Sequence, residues 1–469
     1  MTMMTTSKHD ALPVDPRLKD FHSERTKLAN GYDRKGLLTM SDAEFERHHG
    51  FIQWAFPTPE KSYHNFSAPL LDLGSAVWLS QDLKTQEFLE QMSVRFLTFL
   101  KNTDAWKARY NHNHLRITRI LHSLRILHSL ELSNWVHGQV RDLAGQSYDL
   151  MEKARGFWDH QISSRNDKIA GTLIGLAIGD ALGAPVEFSP RGSFPLVTCY
   201  REGGRFNLPA GAWTDDTAMA LCLADSLIET EAFDAADLLT KFCNWAEFGH
   251  NSSTGVAVGI GQNTLRTLGD YRRHGRLEAE PFGAKSDGNG SLMRLSPAVC
   301  FACYDEINSI SLAAQQSKTT HASPIAEECC KFTASLLCKI LNGQTYHGAK
   351  SEVLQAEWSY DLREAIDVDL SKVDESLIRS GGFVLDTLRA ALWSIENSKT
   401  FEEAVLRAVN LWDDADTTGA VTGQIAGAMF GYSGVPEPLK TGLVDERRLY
   451  VTSQLLCPSY APHQNRALQ

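Results

Sequence analysis

The sequence has no apolar run long enough to cross a bilayer, no cysteine framework and few stretches that alternate like strands. Its N-terminus, MTMMTTSKHDALPVD, lacks an apolar stretch of signal-peptide type. The nine cysteines are an odd number scattered through 469 residues. They read as reduced, mostly buried thiols of a cytoplasmic protein. Cys300 and Cys303 form a lone CxxC with no second pair in reach, so zinc or redox use is not expected. Positive charge is also short: the formal net charge is −11, which argues against general binding of nucleic acid or of a membrane surface. What is present is a soluble globular composition, 43% hydrophobic and 22% charged, in a chain long enough for two or more domains.

The most membrane-like segment, IAGTLIGLAIGDALGAPV, is interrupted by Asp180. Glycines 171, 175, 179 and 183 recur every four residues, so they share one helix face and predict very close helix packing in a core. Composition changes near residue 160, and SSRND (163–167) reads as the joint. The expected organisation is a disordered tail (1–15), a helical N-terminal domain (16–160), a second helical domain (165–440) and a C-terminal extension (441–469). In the first domain, LRITRILHSLRILHSLEL has apolar residues at 117, 120, 121, 124, 127 and 130, a helix face. FIQWAFP reads as a short helix or turn ended by Pro57, and NHNH as a polar N-terminal turn rather than a metal site. FDAADLLTKFCNWAEFG, EECCKFTASLLCKILNG and SKTFEEAVLRAVNLW also carry helical spacing, so the fold class is all-α with function on the loops between helices.

Two acidic clusters ask for an explanation. In GAWTDDTAMALCLADSL, Thr214, Asp215 and Asp216 precede an apolar helical run. In NLWDDADTTGAVTGQIAGAMFG, Asp414, Asp416 and Thr417 do the same. Either cluster alone fits capping: a threonine hydroxyl can accept from a first-turn N–H, and acids suit the positive helix end. Together they form a set of carboxylate and hydroxyl oxygens of the kind hard divalent cations prefer. Four carboxylates brought together without cations would repel, and two metals would relieve that. A third motif, SDGNGSLMR (286–294), is a glycine-containing loop able to aim N–H groups at an anion.

From about residue 168 to 434 the chain resembles the ADP-ribosylglycohydrolase family. The motifs that carry the resemblance run in order: AGTLIGLAIGDALGAPVEF, WTDDTAMAL, SDGNGSLMRLSP, THASP, GGFVLDTLRAALW and DDADTTGAVTGQIAGA. The resemblance implies an all-α bundle holding two Mg²⁺ or Mn²⁺ ions through Thr214, Asp215, Asp216, Asp414, Asp416 and Thr417. Asp413 stands where the family often has a small or amide residue, and is left outside that ligand set. Glu187 matches a catalytic or gating glutamate of some relatives, with Asp215 and Asp416 as further catalytic candidates. Ser286, Gly288, Asn289 and Gly290 would cradle the diphosphate, His321 would lie beside the phosphates, and Phe383 could stack on adenine. The implied reaction is hydrolysis of the N-glycosidic bond at C1″ of ADP-ribose on a protein side chain, with arginine favoured over serine.

Residues from about 33 to 135 resemble the conserved region of opioid growth factor receptor, through HHGFIQWAFP, NFSAPLL and HNHLRITRILHSLRIL in order. That resemblance implies a helical fold and partner binding. The architecture fits an immunity protein that reverses ADP-ribosylation and whose N-terminal domain binds the ADP-ribosyltransferase toxin. The alternative is a pseudoenzyme that binds ADP-ribose or a partner without hydrolysis.

Overall fold

The computed structural model describes residues 12–61, 65–283 and 286–457, and among them the chain is helical, with three isolated β-bridges and no strand. Two compact units divide it, residues 12–166 and Asp167–Cys457. The division falls within SSRND, but the chain there is the first turn of a continuous helix, Ser164–Gly183, rather than a loop. Residues 1–11 of the expected disordered tail lie outside the described residues, whereas Asp15 accepts from the Arg17 N–H and caps the helix Pro16–His22.

In the first unit the aromatic residues of the sequence form the core: Phe45 packs edge-on against Phe51 at 4.7 Å and tilted against Phe99 at 5.0 Å. All six apolar positions of the LRITRIL face are buried, but the face belongs to two helices, Asn113–Leu127 and Leu130–Ala144. Ser129 separates them because its hydroxyl accepts from the Leu132 N–H and starts a new helix. FIQWAFP contains the short helix Ile52–Ala55. Buried Arg116 donates to the carbonyls of Phe45 and His48 at 3.1 and 3.0 Å, tying LRITRIL to the HHG segment.

The second unit is built on the glycine helix Ser164–Gly183, whose glycine face lies against the second acidic helix, Ala415–Phe430. A Cβ on Gly171, Gly175 or Gly179 would fall 2.5, 2.2 or 2.0 Å from the carbonyl oxygen of Gly427, Gly423 or Gly419. The pairing runs in opposite directions, so the C-terminal end of the glycine helix meets the N-terminal end of its partner: a Cβ on Gly183 would lie 2.4 Å from Asp416 Cα. No side chain fits in such a seam, which is why both helices carry glycine every four residues. Contrary to the expectation of no sufficiently long apolar run, a window within Leu130–Val186 is long and apolar enough to cross a membrane by length and composition, but it is 94% buried inside the molecule, as a core helix is.

Around this pair stand Asp215–Thr230, Pro324–Leu341 and Val384–Glu396. The helix Glu446–Leu456 buries Leu449, Tyr450, Val451 and Leu456 in the same core. The unit thus continues through Cys457, beyond the 165–440 span expected for it; residues 458–469 of the extension lie outside the described residues. Eight of the nine cysteines are buried, Cys300 and Cys303 among them.

Candidate metal centre and active site

The glycine seam brings the two acidic helix starts together. Asp216 and Asp416, 200 residues apart in sequence, are 1% and 2% exposed. Their carboxylates and that of Asp180 offer oxygens all within 4.8 Å of one another, and a second such set is Glu187, Asp414 and Asp416. Thr214 Oγ1 lies 3.4 Å from both Asp216 Oδ2 and Asp416 Oδ2, and Thr417 Oγ1 lies 3.5 Å from Asp216 Oδ2.

Asp180, in the sequence only an interruption of an apolar run, is the residue that organises the first cluster. Its Oδ1 accepts from the Thr214 N–H and hydroxyl at 2.9 and 2.8 Å. Its Oδ2 accepts from the Thr217 N–H and hydroxyl at 3.0 and 2.7 Å. The N-terminus of Asp215–Thr230 is therefore capped from the neighbouring glycine helix. Thr214 makes no side-chain cap bond of its own, which corrects the capping expected of it. Its hydroxyl proton points to Asp180, leaving oxygen lone pairs toward Asp216 and Asp416.

Asp414 is held by Asn289, whose Nδ2 donates to Asp414 Oδ2 at 2.6 Å and to Thr387 Oγ1 at 2.9 Å. Asp215 belongs to neither converging set; its Oδ1 lies where a Cβ on Gly259 would meet it at 2.1 Å, so the left-handed Gly259 backbone (φ +79°) admits this carboxylate. Sequence reasoning passed over both Asp180 and Gly259. A buried aspartate before the glycine helix ends, and GVAVGIG ahead of a helix, were the available signals.

Burial and mutual repulsion push every one of these acids upward. Glu187 rises to about 8, through burial first and the Asp414 charge second. Asp215, Asp216 and Asp416 stand well above the ordinary carboxylate range, burial being the largest cause, and Asp180 and Asp414 shift the same way. No ion pair reaches any of the six among the described residues. Asp216 Oδ1 and Glu187 Oε2 are buried without a hydrogen-bond partner. Orphaned carboxylate oxygens, two threonine hydroxyls beside them and no ion-pair partner within reach among the described residues together make a donor set that fits divalent metal.

The substrate candidates gather beside this centre. The His321 imidazole lies against the glycine loop: a Cβ on Gly290 would be 3.0 Å from its Cε1, and one on Gly288 3.5 Å from its Nε2. The two glycines make room for the ring. Burial lowers His321 to about 3, so it is neutral, with Nδ1 2.8 Å from Thr320 Oγ1. Buried Arg294 fixes that segment by donating to the Gln316 carbonyl at 3.0 Å and Thr320 Oγ1 at 2.8 Å. The Ser286 and Asn289 N–H groups already donate to the carbonyls of Gly283 and Gly382. Ser286 Oγ accepts from the Phe282 N–H. Phe383 is 42% exposed and pairs with Gly288 in a β-bridge, so it is a surface ring at the loop and not a core residue.

The family model described as ADP-ribosylglycohydrolase matches residues 161–464. An ADP-ribosylarginine hydrolase Tri1 of Serratia proteamaculans is 40% identical over 60% of this chain and 77% of its own. The ADP-ribosyl-[dinitrogen reductase] glycohydrolase of Rhodospirillum rubrum is 28% identical over 58% of this chain and 89% of its own. A solved ADP-ribosylglycohydrolase-related protein complex aligns at TM-score 0.56 and 35% identity, covering 62% of this chain and 98% of that one.

Proposed function

The chain belongs to the ADP-ribosylglycohydrolase family and is a hydrolase, and from that premise we propose that it removes ADP-ribose from arginine side chains of modified proteins. The observation that carries the reading is the convergence of two acidic helix starts on buried carboxylate oxygens without partners. The arginine linkage is supported by two relatives at 40% and 39% identity that are named ADP-ribosylarginine hydrolases.

Thr214, Asp216, Asp414, Asp416 and Thr417 would hold two divalent cations, Mg²⁺ or Mn²⁺, with Asp215 beside them. When bound, such ions supply positive charge that polarises water and the ribose hydroxyls. The protein's own residues do the rest. The C1″–N bond breaks with its electron pair remaining on the guanidine nitrogen, water delivers hydroxide to C1″, and its proton ends on that nitrogen. Positive charge develops at C1″, and the surrounding carboxylates stabilise it. Glu187, whose carboxyl burial and the Asp414 charge push upward and whose Oε2 has no hydrogen-bond partner, is the group that would hold or move that proton. Neutral His321 packs the glycine loop without bringing charge to the diphosphate, and Phe383 offers an exposed face to adenine.

An odd number of cysteines without framework spacing, eight of them buried, supports a cytoplasmic setting. Within it the protein acts as an immunity factor: the second unit reverses the modification, and the first, resembling the opioid growth factor receptor region, binds the toxin that made it. The enzymatic test follows ADP-ribose release from an arginine-ADP-ribosylated protein with Mg²⁺, with EDTA, and for Asp416→Ala. Metal-dependent release lost in the variant is expected. Tight ADP-ribose binding with no release from arginine- or serine-linked substrates would establish the pseudoenzyme instead. The toxin-binding half fails if deletion of residues 1–160 leaves binding and protection intact.

A further inference from the structure

One residue before the metal-site Asp414, the backbone turns through two consecutive left-handed residues, Trp412 (φ +68°) and Asp413 (φ +57°). Left-handed backbone at non-glycine residues is strained and collects at functional sites. Here the turn is pinned on both sides: the Asp413 carbonyl accepts from the Phe188 N–H at 2.5 Å, and its N–H donates to the Ser189 carbonyl at 3.2 Å. The next N–H, of Asp414, donates to the Ser380 carbonyl at 3.0 Å. Asp413 itself is exposed, and its carboxylate has no ion pair among the described residues.

That carboxylate lines a cavity of about 470 Å³ bounded by Phe188–Arg191, Ile378–Gly381 and Asp386. Three other charges face the cavity. The Arg191 guanidinium is engaged by the carbonyls of Glu375 and Ile378 at 3.1 and 3.0 Å. Arg379 and Asp386 act on each other, Arg379 working against the burial that raises the Asp386 carboxyl. Asp413 is a carboxylate of this lining for which no hydrogen bond or ion pair of the side chain is seen among the described residues. Two lining residues are chain neighbours of the acidic centre: Glu187 precedes Phe188 and Asp414 follows Asp413.

We propose that this cavity receives the arginine side chain from which ADP-ribose is cut, and that Asp413 is the specificity-determining residue that grips its guanidinium. The inference rests on the arginine-linked reading above. A guanidinium presents a planar fork of N–H donors that matches a carboxylate in two hydrogen bonds. A serine hydroxyl has no such fork and no charge, so a fixed carboxylate at this point would favour arginine over serine. Pinning of the backbone on both sides keeps the carboxylate aimed, and Asp is among the residues that tolerate the left-handed turn.

The test is Asp413→Asn, which preserves shape and tolerance of the turn while removing charge. Three quantities are measured on the full chain with Mg²⁺: kcat/KM for an arginine-ADP-ribosylated peptide, inhibition by agmatine, and calorimetric affinity for free ADP-ribose. Expected are a loss of about tenfold to a hundredfold in kcat/KM, carried mainly by KM, and a comparable weakening of agmatine inhibition. ADP-ribose affinity should stay within about twofold. Unchanged agmatine inhibition in the variant overturns the proposal while leaving arginine hydrolysis standing. So does an equal fall in ADP-ribose affinity, which would place the effect on the neighbouring metal centre. A wild-type protein that cleaves only serine-linked ADP-ribose removes the arginine reading, and the proposal with it.

Discussion

Asp180 and Asp216 are both buried aspartates of one site, yet their substitutions should move stability in opposite directions. Each Asp180 oxygen accepts two hydrogen bonds, and together they cap a helix. Asp180→Asn replaces one acceptor with a donor facing the N–H and hydroxyl of Thr217 or Thr214. The expected destabilisation is about 2–4 kcal/mol, read by denaturant unfolding with and without EDTA. Asp216, by contrast, keeps a buried oxygen with no partner. Asp216→Asn removes a buried carboxyl whose ionisation burial and the neighbouring acids oppose, so the metal-free protein should become more stable by about 1–3 kcal/mol while calorimetric Mg²⁺ binding is lost. Which aspartates matter was partly legible: TDDT and DDADTT advertise themselves because several oxygens are adjacent in sequence. The role of Asp180 was not legible, because its partners Thr214 and Thr217 are reached only across a helix pair. The role of Asn289 was hidden likewise, since its amide turns to Asp414, 125 residues away.

Helical glycines divide just as sharply. On the seam, a Cβ at Gly179 would strike the Gly419 backbone at 2.0 Å, and neither helix can yield without separating. Gly179→Ala should cost more than about 3 kcal/mol or prevent folding of the second unit, with loss of metal binding as the helices part. Gly138, inside Leu130–Ala144, has open space where a methyl would stand, with nothing within 4 Å of it. Gly138→Ala should instead stabilise by about 0.5–1 kcal/mol, because the unfolded chain loses freedom and the helix gains a good former. Thermal unfolding of the two variants beside wild type checks both signs. Four-residue glycine spacing announced a close contact before any partner was known, and the apolar periodicities located the helices. The break at Ser129 was not foreseen, since apolar spacing continues across it and only a serine side chain marks the new start.

At the level of the whole chain, two units with their own cores should unfold as two transitions, and only that of Asp167–Cys457 should respond to metal. Its response to pH has a definite sign. Without a cation, folded Glu187 keeps its proton to about 8, whereas the unfolded chain releases it near 4.5. Between those values the folded state binds more protons, so stability falls as pH rises. Asp215, Asp216 and Asp416 add to the same slope, their carboxyls being raised too. Calorimetric scans in EDTA should therefore show this transition dropping from about pH 5 to about pH 8, with Mg²⁺ removing most of the drop. A transition that is flat in EDTA would mean the acids are neutralised by something other than metal.

The glycine seam also acts as a gauge for ionic radius. Side chains that hold a cation usually adjust by rotating, but here the position of the Asp416 backbone follows from its contact with Gly183, backbone resting on backbone. Oxygens around Mg²⁺ sit at about 2.0–2.1 Å and around Ca²⁺ at about 2.3–2.6 Å, so the larger ion needs the ring of ligands to dilate by a few tenths of an ångström. Two helices already touching along their length cannot close further, so the seam would set the smallest ring the ligands can form, and the cap from Asp180 ties the third helix to the same frame. Selectivity among hard cations would then be written into the absence of side chains far from the ions themselves.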